Sequence, residues 1–305
     1  MHLTVAICTH NRSAQLARTL ESFERLRSPD GSTWEVLVVQ NRCTDATAGV
    51  VDDLRDRLPL RTASEPELGL CHARNAAVEA ARGDYIVWTD DDVAPRPDWL
   101  AVYADAFRQW PDASFFGGPV VPRFLGDETP EWLETVRREF PSVYAGRDLG
   151  DRTFRIDERS AVPFGANYAL PLHIQKRFRY DPELGRRGSD LLSGEETDLM
   201  GRILEEGGHG RWVPGARVRH MIPEERQTLD YFRRFFRAHG RATASRENQE
   251  EWLPTLLGRP RCAWRAALEM EVRHWTARVL GSPDDWVPLL KEAAYAQGYL
   301  LGPPS

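Results

Sequence analysis

The sequence predicts an α/β protein built on a doubly wound, mostly parallel sheet, followed by a helical C-terminal region. Apolar runs at residues 3–8, 35–39 and 85–89 have the length of buried strands. Stretches with helical periodicity separate these runs, and a polar cluster follows each of them. Ligands bind at the carboxyl ends of the strands in such sheets, so the polar clusters predict a site at that edge.

Each element of the first half follows from its local pattern. Leu16, Leu20 and Phe23 fall on one face of a helix with a period of 3.6 residues. Thr44 or Asp45 can cap the next helix. The predicted elements are a strand at 3–8, a helix at 13–26, a strand at 35–39, a helix from 44 or 45 to about 58, a short strand near 60, a helix at 72–82 and a strand at 85–89.

The second half is less regular. Glycines interrupt a strand pattern at residues 115–121, and the charged stretch 128–159 carries no assignable pattern. We further predict a strand at 162–170, a helix at 194–206, a strand, a turn and a second strand over 211–220, and helices from 228 onward, broken by Pro254, Pro260 and Pro283. The predicted division is a sheet domain over residues 1–225 and a helical region over 226–305.

Composition limits the classes of function. The 305 residues are 41% hydrophobic and 28% charged, as in a soluble globular protein, and the formal net charge of −6 gives no electrostatic basis for nucleic-acid binding. The four cysteines are widely spaced, which indicates a reducing compartment. No signal-peptide pattern or membrane-length apolar stretch is present, so we expect a cytoplasmic protein.

Three adjacent carboxylates, Asp90, Asp91 and Asp92, follow the predicted strand at 85–89. Packing gives no reason to place like charges side by side, whereas Mg²⁺ or Mn²⁺ would remove their repulsion and bind phosphate oxygens as well. A solvated turn with helix-capping aspartates is the alternative, since Pro95 and Pro97 follow closely. The triplet by itself leaves both interpretations open.

The order of motifs along the chain helps to choose between these two interpretations. Strands end in Thr-His-Asn-Arg at 9–12 and in Gln-Asn-Arg-Cys-Thr-Asp at 40–45. Gly-Leu-Cys-His-Ala-Arg-Asn-Ala-Ala at 69–77 precedes Arg-Gly-Asp-Tyr-Ile-Val-Trp-Thr-Asp-Asp-Asp at 82–92. Gly-Ala-Asn-Tyr-Ala at 165–169, Leu-Ser-Gly-Glu-Glu-Thr-Asp-Leu at 192–199 and Val-Pro-Gly-Ala before Val-Arg-His at 218–220 complete the series. Over residues 3–220, this order resembles family 2 of the inverting glycosyltransferases, which have the GT-A fold.

The resemblance implies a nucleotide-sugar donor site in the first domain. Thr9, His10, Asn11 and Arg12 would hold the nucleoside together with Gln40. The family usually has an aspartate in place of Gln40, which accepts a hydrogen bond from the base. A glutamine amide can both accept and donate, so we expect a pyrimidine base and a UDP-sugar, with the base less strictly specified.

The resemblance also assigns the phosphate and metal groups. Arg74 would reach the diphosphate, since a guanidinium matches phosphate geometry. Asp90 and Asp91 belong to the donor site. Asp92 is the expected direct ligand of Mn²⁺ or Mg²⁺, with Asp90 beside it. His220 is the candidate third metal ligand, and a packed histidine is the alternative.

A second acidic cluster, Glu195 and Glu196, begins the helix predicted at 194–206. An acceptor hydroxyl must lose a proton as it attacks the anomeric carbon, which calls for a carboxylate as general base. The family's motif is usually Glu-Asp with the second residue as base. That maps onto Glu196, one methylene longer here, so Glu195 stays a candidate. A helix N-terminus favours acids through its dipole, which is the structural alternative. Asp198 is expected to cap or orient.

Two basic-aromatic segments follow the catalytic region. Residues 231–237 either meet an anionic membrane surface or pack their aromatics on the core with arginines in water, and we favour packing. Residues 264–280, with Trp275, leave the same choice open and could also shape an acceptor site or a homodimer contact. A peripheral position at the inner face of a membrane is therefore an expectation.

The predicted activity is metal-dependent, inverting transfer of a sugar to an acceptor hydroxyl or similar nucleophile. The acceptor, whether a saccharide, a lipid-linked sugar, a peptide or a small molecule, is left unidentified. A non-catalytic carbohydrate- or partner-binding protein of the same fold is the first alternative. A sugar-phosphate nucleotidyltransferase is the second, although such enzymes carry a glycine-rich loop where residues 9–12 have none.

Overall fold

The computed structural model describes residues 1–185, 194–246, 255–256 and 259–302. Leu192 and Ser193, which open the second acidic motif, and Pro254 lie outside the described residues. The described chain forms two compact units. The first comprises Met1–Arg123 and the described residues of 144–221, and the second comprises Phe124–Val143 and the described residues from Ile222 onward.

Strands and helices alternate through the first unit, as predicted. The strands are β1 (His2–Thr9), β2 (Thr33–Asn41), β3 (Leu60–Glu65), β4 (Tyr85–Asp90), β5 (Val93–Pro95), β6 (Phe115–Gly117), β7 (Val120–Phe124), β8 (Phe154–Ile156), β9 (Asn167–Pro171), β10 (Gly210–Trp212), β11 (Val218–Ile222), β12 (Thr255–Leu256) and β13 (Arg259–Pro260). The α-helices are α1 (Ser13–Phe23), α2 (Thr47–Leu54), α3 (Leu70–Ala80), α4 (Trp99–Gln109), α5 (Trp132–Glu139), α6 (Leu172–Arg177), α7 (Glu195–Glu205), α8 (Leu229–Arg246), α9 (Arg261–Leu280) and α10 (Pro283–Leu301).

The main sheet has eight strands in the order β3-β2-β1-β4-β9-β6-β10-β8. The first four are parallel, whereas β9 runs antiparallel to β4 and to β6, and β8 runs antiparallel to β10. The register places Thr9 opposite Gln40 and Cys8 opposite Asp90. The carboxyl ends of β1, β2 and β4 therefore meet at one edge, which is the edge that the sequence predicts as the site.

Apolar residues cover both faces of this sheet. Along β1, Val5 and Ile7 join one core cluster and Ala6 joins the other, because successive side chains of a strand point to opposite faces. Helices on both sides complete these cores, which explains why β1 and β2 are continuous apolar runs rather than alternating ones.

The largest differences from the predicted elements fall in the middle of the chain. The strand predicted at 162–170 begins only at Asn167, since the chain forms a 3₁₀ turn at Arg159–Ala161 before it. The unassigned stretch 128–159 contains α5, a second 3₁₀ turn at Pro141–Tyr144 and the edge strand β8. A separate three-stranded sheet has the order β5-β11-β7.

The second unit is helical, with α8, α9 and α5 each packed against α10. Tyr231, Phe232, Phe235 and Phe236 of α8 are buried, which agrees with the packing interpretation of residues 231–237. Ser282 and Asp285 form a capping box at the start of α10. Within the described residues, no helix has the length and apolarity needed to span a bilayer.

Candidate active site

The acidic run after β4 forms a hydrogen-bonded cluster with the loop that follows β1. Arg12 bridges two of the carboxylates, with Nη1 donating to Asp91 Oδ1 and Nη2 to Asp92 Oδ2, both at 2.5 Å. Thr9 Oγ1 donates to Asp91 Oδ2 at 2.7 Å. Thr19 Oγ1, from the buried face of α1, donates to the Asp91 carbonyl at 2.8 Å. Asp91 is thus held from three sides.

His220 on β11 lies against the same acidic run. Its Nε2 is 3.2 Å from Asp92 Oδ1, and both side chains are buried. Its Nδ1 donates to the carbonyl of Tyr144 at 2.7 Å, which directs Nε2 towards the carboxylate. The backbone also joins β11 to the acidic run, because the N–H of Met221 donates to the carbonyl of Asp92 at 2.8 Å.

Burial and mutual charge set the electrostatics of this cluster. Burial raises the pKa of Asp91 to about 6 and Asp92 adds to the rise, although Arg12 opposes it. Burial would lower the pKa of Arg12, but Asp92 and Asp91 outweigh this and raise it. Burial likewise lowers the pKa of His220, and the charge of Asp92 more than compensates, so the net shift is upward.

Asp90 is the outermost carboxylate of the run. Its backbone pairs with Cys8, and its side chain is half-buried. In the described part of the chain, no side-chain hydrogen bond or ion pair engages it. Burial raises the pKa of Cys8 to about 12, with Arg74 lowering it and Asp90 raising it. Cys8 therefore lies within the electrostatic range of the acidic run and of Arg74.

The predicted nucleoside-binding residues lie at the carboxyl ends of β1 and β2 and in the loop that follows β1. His10 Nδ1 donates to the carbonyl of Asn41 at 2.6 Å. Asn11 adopts a left-handed backbone with φ of 50° and accepts from the backbone N–H of Thr44 at 2.7 Å. Gln40 pairs with Ser64 in the sheet ladder and is half-buried. Hydrogen bonds thereby join the segment that follows β1 to the end of β2 and the loop after it, at the edge of the sheet.

The second cluster is built around a buried ion pair. Arg74 on α3 donates from Nη1 to Glu195 Oε1 at 2.7 Å, and each side chain is only 4% exposed. The guanidinium also lies over the rings of Trp88, Tyr168 and Tyr180, at 5.9, 5.9 and 5.3 Å from their centroids. Glu195 Oε2 accepts from the backbone N–H at position 194 at 3.0 Å.

Glu196 lies beside this pair at the start of α7. Its Oε1 accepts from the backbone N–H of Gly165 at 3.0 Å. Its Oε2 is buried and has no partner among the residues that the structure describes. Burial raises the pKa of Glu196 to about 7, Glu195 adds to the rise and Arg74 opposes it. A Cβ at position 165 would lie 2.8 Å from Arg74 Nη2, so glycine permits this close packing.

A comparison with known families now identifies the chain. The model of glycosyl transferase family 2 matches residues 4–162, which run from within β1 to beyond β8 and include the acidic run. The chain belongs to glycosyl transferase family 2. It is therefore a glycosyltransferase, and the two alternatives left open by the sequence are set aside.

Relatives and solved structures agree with this assignment. The chain is 27% identical over 277 residues to the succinoglycan biosynthesis protein ExoM of Rhizobium meliloti, covering 85% of this chain and 81% of the relative. It is 26% identical over 255 residues to a glucosyl-dolichyl phosphate glucuronosyltransferase of Haloferax volcanii, covering 79% and 76%. A mannosyltransferase from Pyrobaculum calidifontis, solved with GDP-Man and Mn²⁺, superposes with a TM-score of 0.62 at 18% identity, over 98% of this chain and 86% of that one. The last match shows the GT-A fold.

The structure of this family 2 glycosyltransferase gathers the predicted site residues into the two clusters. Thr9, Arg12, Asp91, Asp92 and His220 form the first, with Asp90 adjoining them, and Arg74, Glu195 and Glu196 form the second. Among the described residues, the side chains of His10, Asn11 and Gln40 make no hydrogen bond or ion pair with either cluster. Their nucleoside role, and the diphosphate role of the buried Arg74, stay predictions. Asp198, expected to cap or orient, forms an ion pair with Arg202.

Sequence inspection missed several supporting residues. Thr19 was detectable, because it is a polar residue on the apolar face of a predicted helix. Asn167 has a sequence signal only as part of the motif at 165–169. It is fully buried and its amide makes four hydrogen bonds, to Trp99, Tyr103, Pro119 and Ala216. The carbonyl of Tyr144 had no sequence signal, since backbone acceptors depend on the path of the chain rather than on residue type.

Proposed function

We propose that this glycosyltransferase moves a sugar from a nucleotide-diphosphate donor, with UDP-sugars favoured, to an acceptor hydroxyl by a metal-dependent, inverting single displacement. The observation that carries the proposal is the environment of Glu196. One carboxylate oxygen is fixed by a backbone N–H, the other is buried without a described partner, and the pKa is raised to about 7. A carboxylate of this kind suits a general base near neutral pH.

Glu195 and Arg74 support the base rather than share its role in this proposal. Arg74 neutralises Glu195, and Glu195 in turn accepts from the backbone at position 194. Because Glu195 is committed to these two donors, Glu196 is the carboxylate that stays open to an acceptor hydroxyl. Glu196 takes the hydroxyl proton as the acceptor oxygen bonds to the anomeric carbon and the bond to the diphosphate breaks on the opposite face.

Asp92 and His220, with Asp90 beside them, are the residues proposed to hold Mn²⁺ or Mg²⁺. Asp92 Oδ1 and His220 Nε2 converge within 3.2 Å, which fits a carboxylate and an imidazole on one ion. Among the described residues no group of three or more His, Cys, Asp and Glu side chains is arranged for a metal. Two protein ligands with donor phosphate oxygens and water match the way Mg²⁺ is commonly bound. A cation there supplies positive charge that stabilises the departing diphosphate.

The relatives supply support for the donor class. The mannosyltransferase of the same fold was solved with GDP-Man and Mn²⁺, and TarS of S. aureus, which superposes with a TM-score of 0.50, was solved with UDP-GlcNAc. In this chain the loops after β1 and β2, with Thr9 to Arg12 and Gln40, are the proposed nucleoside site. We keep UDP as the favoured nucleotide on the grounds of Gln40, whose amide can pair with a pyrimidine edge.

The donor and metal can be tested by thermal shift. UDP, dTDP, GDP, CDP and ADP are each added with Mn²⁺, Mg²⁺ or EDTA. A nucleotide at about 100 times its Kd stabilises the folded state by about 2.7 kcal/mol, which raises Tm by several degrees. We expect one nucleotide to act, and its effect to disappear in EDTA and in Asp92→Asn. A shift that survives both changes would contradict the metal assignment.

The base can be tested separately. Glu196→Gln keeps an oxygen to accept from Gly165 N–H but cannot take a proton, so transfer should fall about 10²- to 10⁴-fold while donor stabilisation persists. Asp198→Asn, on the same helix turn, is the matched control and should transfer normally. Transfer by Glu196→Gln within tenfold of the original chain would move the base to Glu195. An NMR assignment of the product anomer tests inversion.

A further inference from the structure

Helix α9 carries a row of exposed apolar side chains. Leu268, Val272, Trp275 and Val279 are 68%, 58%, 50% and 78% exposed. Their spacing of four, three and four residues places them on one helical face, while Ala267 and His274 are buried on another face. All the large apolar side chains that are highly exposed in the described residues belong to the second unit, and five of the seven lie on α9.

This face differs from that of α8, whose aromatic residues are buried in the unit. The α9 row therefore does not face the core of the second unit. A contiguous exposed apolar surface usually marks contact with a partner or a membrane, whereas apolar residues scattered singly need no explanation. The four side chains follow one another at helical spacing, so they form one continuous exposed strip along α9.

Basic residues flank the row. Arg261, Arg265, Arg273 and Arg278 are exposed on α9, against two acids on the helix, Glu269 and Glu271. The helix is thus net positive within a chain whose formal net charge is −6. The guanidinium groups of Arg233 and Arg278 lie 5.9 and 5.5 Å from the Trp275 ring centroid. A half-exposed tryptophan between arginines is a chemistry typical of membrane–water interfaces.

We propose that α9 docks on the surface of an anionic phospholipid bilayer, with the row from Leu268 to Val279 entering the headgroup boundary and the arginines meeting lipid phosphates. Charge complementarity favours an anionic bilayer over a second copy of this chain. Pairing with a second copy through the same row would bring net-positive helices together, and like charges across an interface oppose association. The cores of protein interfaces are also depleted of charged side chains, whereas here the arginines border the row. This inference stands independently of the proposed donor and base.

The test is sedimentation of the full chain with phosphatidylcholine vesicles containing either no phosphatidylglycerol or about 30% of it. We expect binding to the anionic vesicles, with weaker binding at high salt. Leu268→Ser/Val279→Ser should lower vesicle affinity at least tenfold by removing apolar contact. Arg265→Gln/Arg273→Gln should lower it about thirtyfold, because each arginine near an anionic surface adds about a factor of five.

Two matched control variants distinguish a loss of docking from general effects on folding or on net charge. Leu256→Ser/Leu301→Ser removes two exposed apolar side chains outside α9, and Arg18→Gln/Arg25→Gln removes two exposed arginines from the first unit. Both should bind vesicles as the original chain does. No binding to anionic vesicles, or equal loss in the controls, would overturn the proposal. A dimer detected by light scattering and abolished by Leu268→Ser/Val279→Ser, without vesicle binding, would assign the face to a second copy instead.

Discussion

Replacing Arg74 by Met removes the guanidinium that neutralises Glu195 while keeping much of the side chain's volume. Both members of this pair are only 4% exposed and are joined by a 2.7 Å hydrogen bond. Breaking a buried ion pair by removing one partner costs about 3–5 kcal/mol, since the remaining charge stays buried. The rings of Trp88, Tyr168 and Tyr180 lose a cation as well, so we expect Arg74→Met to fall at the upper end of that range.

A double-mutant cycle tests this reasoning. Glu195→Gln alone leaves Arg74 buried without a full counter-charge but keeps its three ring contacts and the neighbouring Glu196, so it should be the milder single change. Arg74→Met/Glu195→Gln removes both charges, and we expect it to be more stable than the sum of the single changes by about 2–3 kcal/mol. Urea unfolding, followed by circular dichroism and tryptophan fluorescence, measures the three free energies.

The effect should also depend on pH. Without Arg74, Glu196 loses the positive charge that opposes the rise in its pKa, so that pKa moves further above the unfolded value. Groups with raised carboxyl pKa values bind more protons when folded, so the stability of Arg74→Met should fall as pH rises from 5 to 8. Its difference from the original chain is therefore expected to be larger at pH 8.

A surface pair gives the matched control. Arg155 and Asp157 form a 2.7 Å ion pair whose side chains are 47% and 57% exposed, and exposed pairs contribute about 1 kcal/mol or less. Arg155→Met should therefore change the free energy of unfolding little. An Arg74→Met variant within 1 kcal/mol of the original chain, or strictly additive single changes, would show that Arg74 and Glu195 are not a buried, coupled pair.

Three further outcomes follow from the described contacts. The rate of transfer should rise with pH through an apparent pKa of about 7, because Glu196 must be deprotonated to act as the base. Glu195→Gln removes a neighbouring negative charge and should therefore move the midpoint of the pH–rate profile to lower pH. Asn167→Ala deletes four buried hydrogen bonds and should lower the free energy of unfolding by about 3–4 kcal/mol in urea titration, whereas a change under 1 kcal/mol would contradict the network. Asp285→Ala breaks the capping box with Ser282 and should cost about 1 kcal/mol in thermal unfolding.

The elements of the first unit were largely predictable because their signals are local. The apolar runs of β1, β2 and β4 and the periodicity of α1 depend only on neighbouring residues. Their order then fixes which loops meet at the carboxyl edge of the sheet. This is why Thr9, Gln40 and the acidic run could be placed together from sequence, and why the register brings Cys8 opposite Asp90.

Contacts between distant residues were not predictable in the same way. Arg12 lies 79 and 80 positions from Asp91 and Asp92, and Arg74 lies 121 positions from Glu195. Sequence pattern records that these residues are polar and near the ends of elements. It carries no information on which cation meets which carboxylate, because that depends on how loops of unrelated composition close over the sheet.

The sequence-based assignment of Arg74 to the diphosphate stays a prediction, and the structure adds surroundings that the sequence does not indicate. A basic residue on a helix near the carboxyl edge of the sheet suits a phosphate group. No local sequence pattern indicates that aromatic rings from β4, β9 and the chain after β9 enclose the guanidinium of Arg74. The enclosure gives Arg74 a second effect that the local pattern does not contain. Its positive charge opposes the rise in the pKa of Glu196 that burial and Glu195 cause. The buried arginine and the proposed base therefore act as one electrostatic unit, even though they stand on different helices and far apart in the chain.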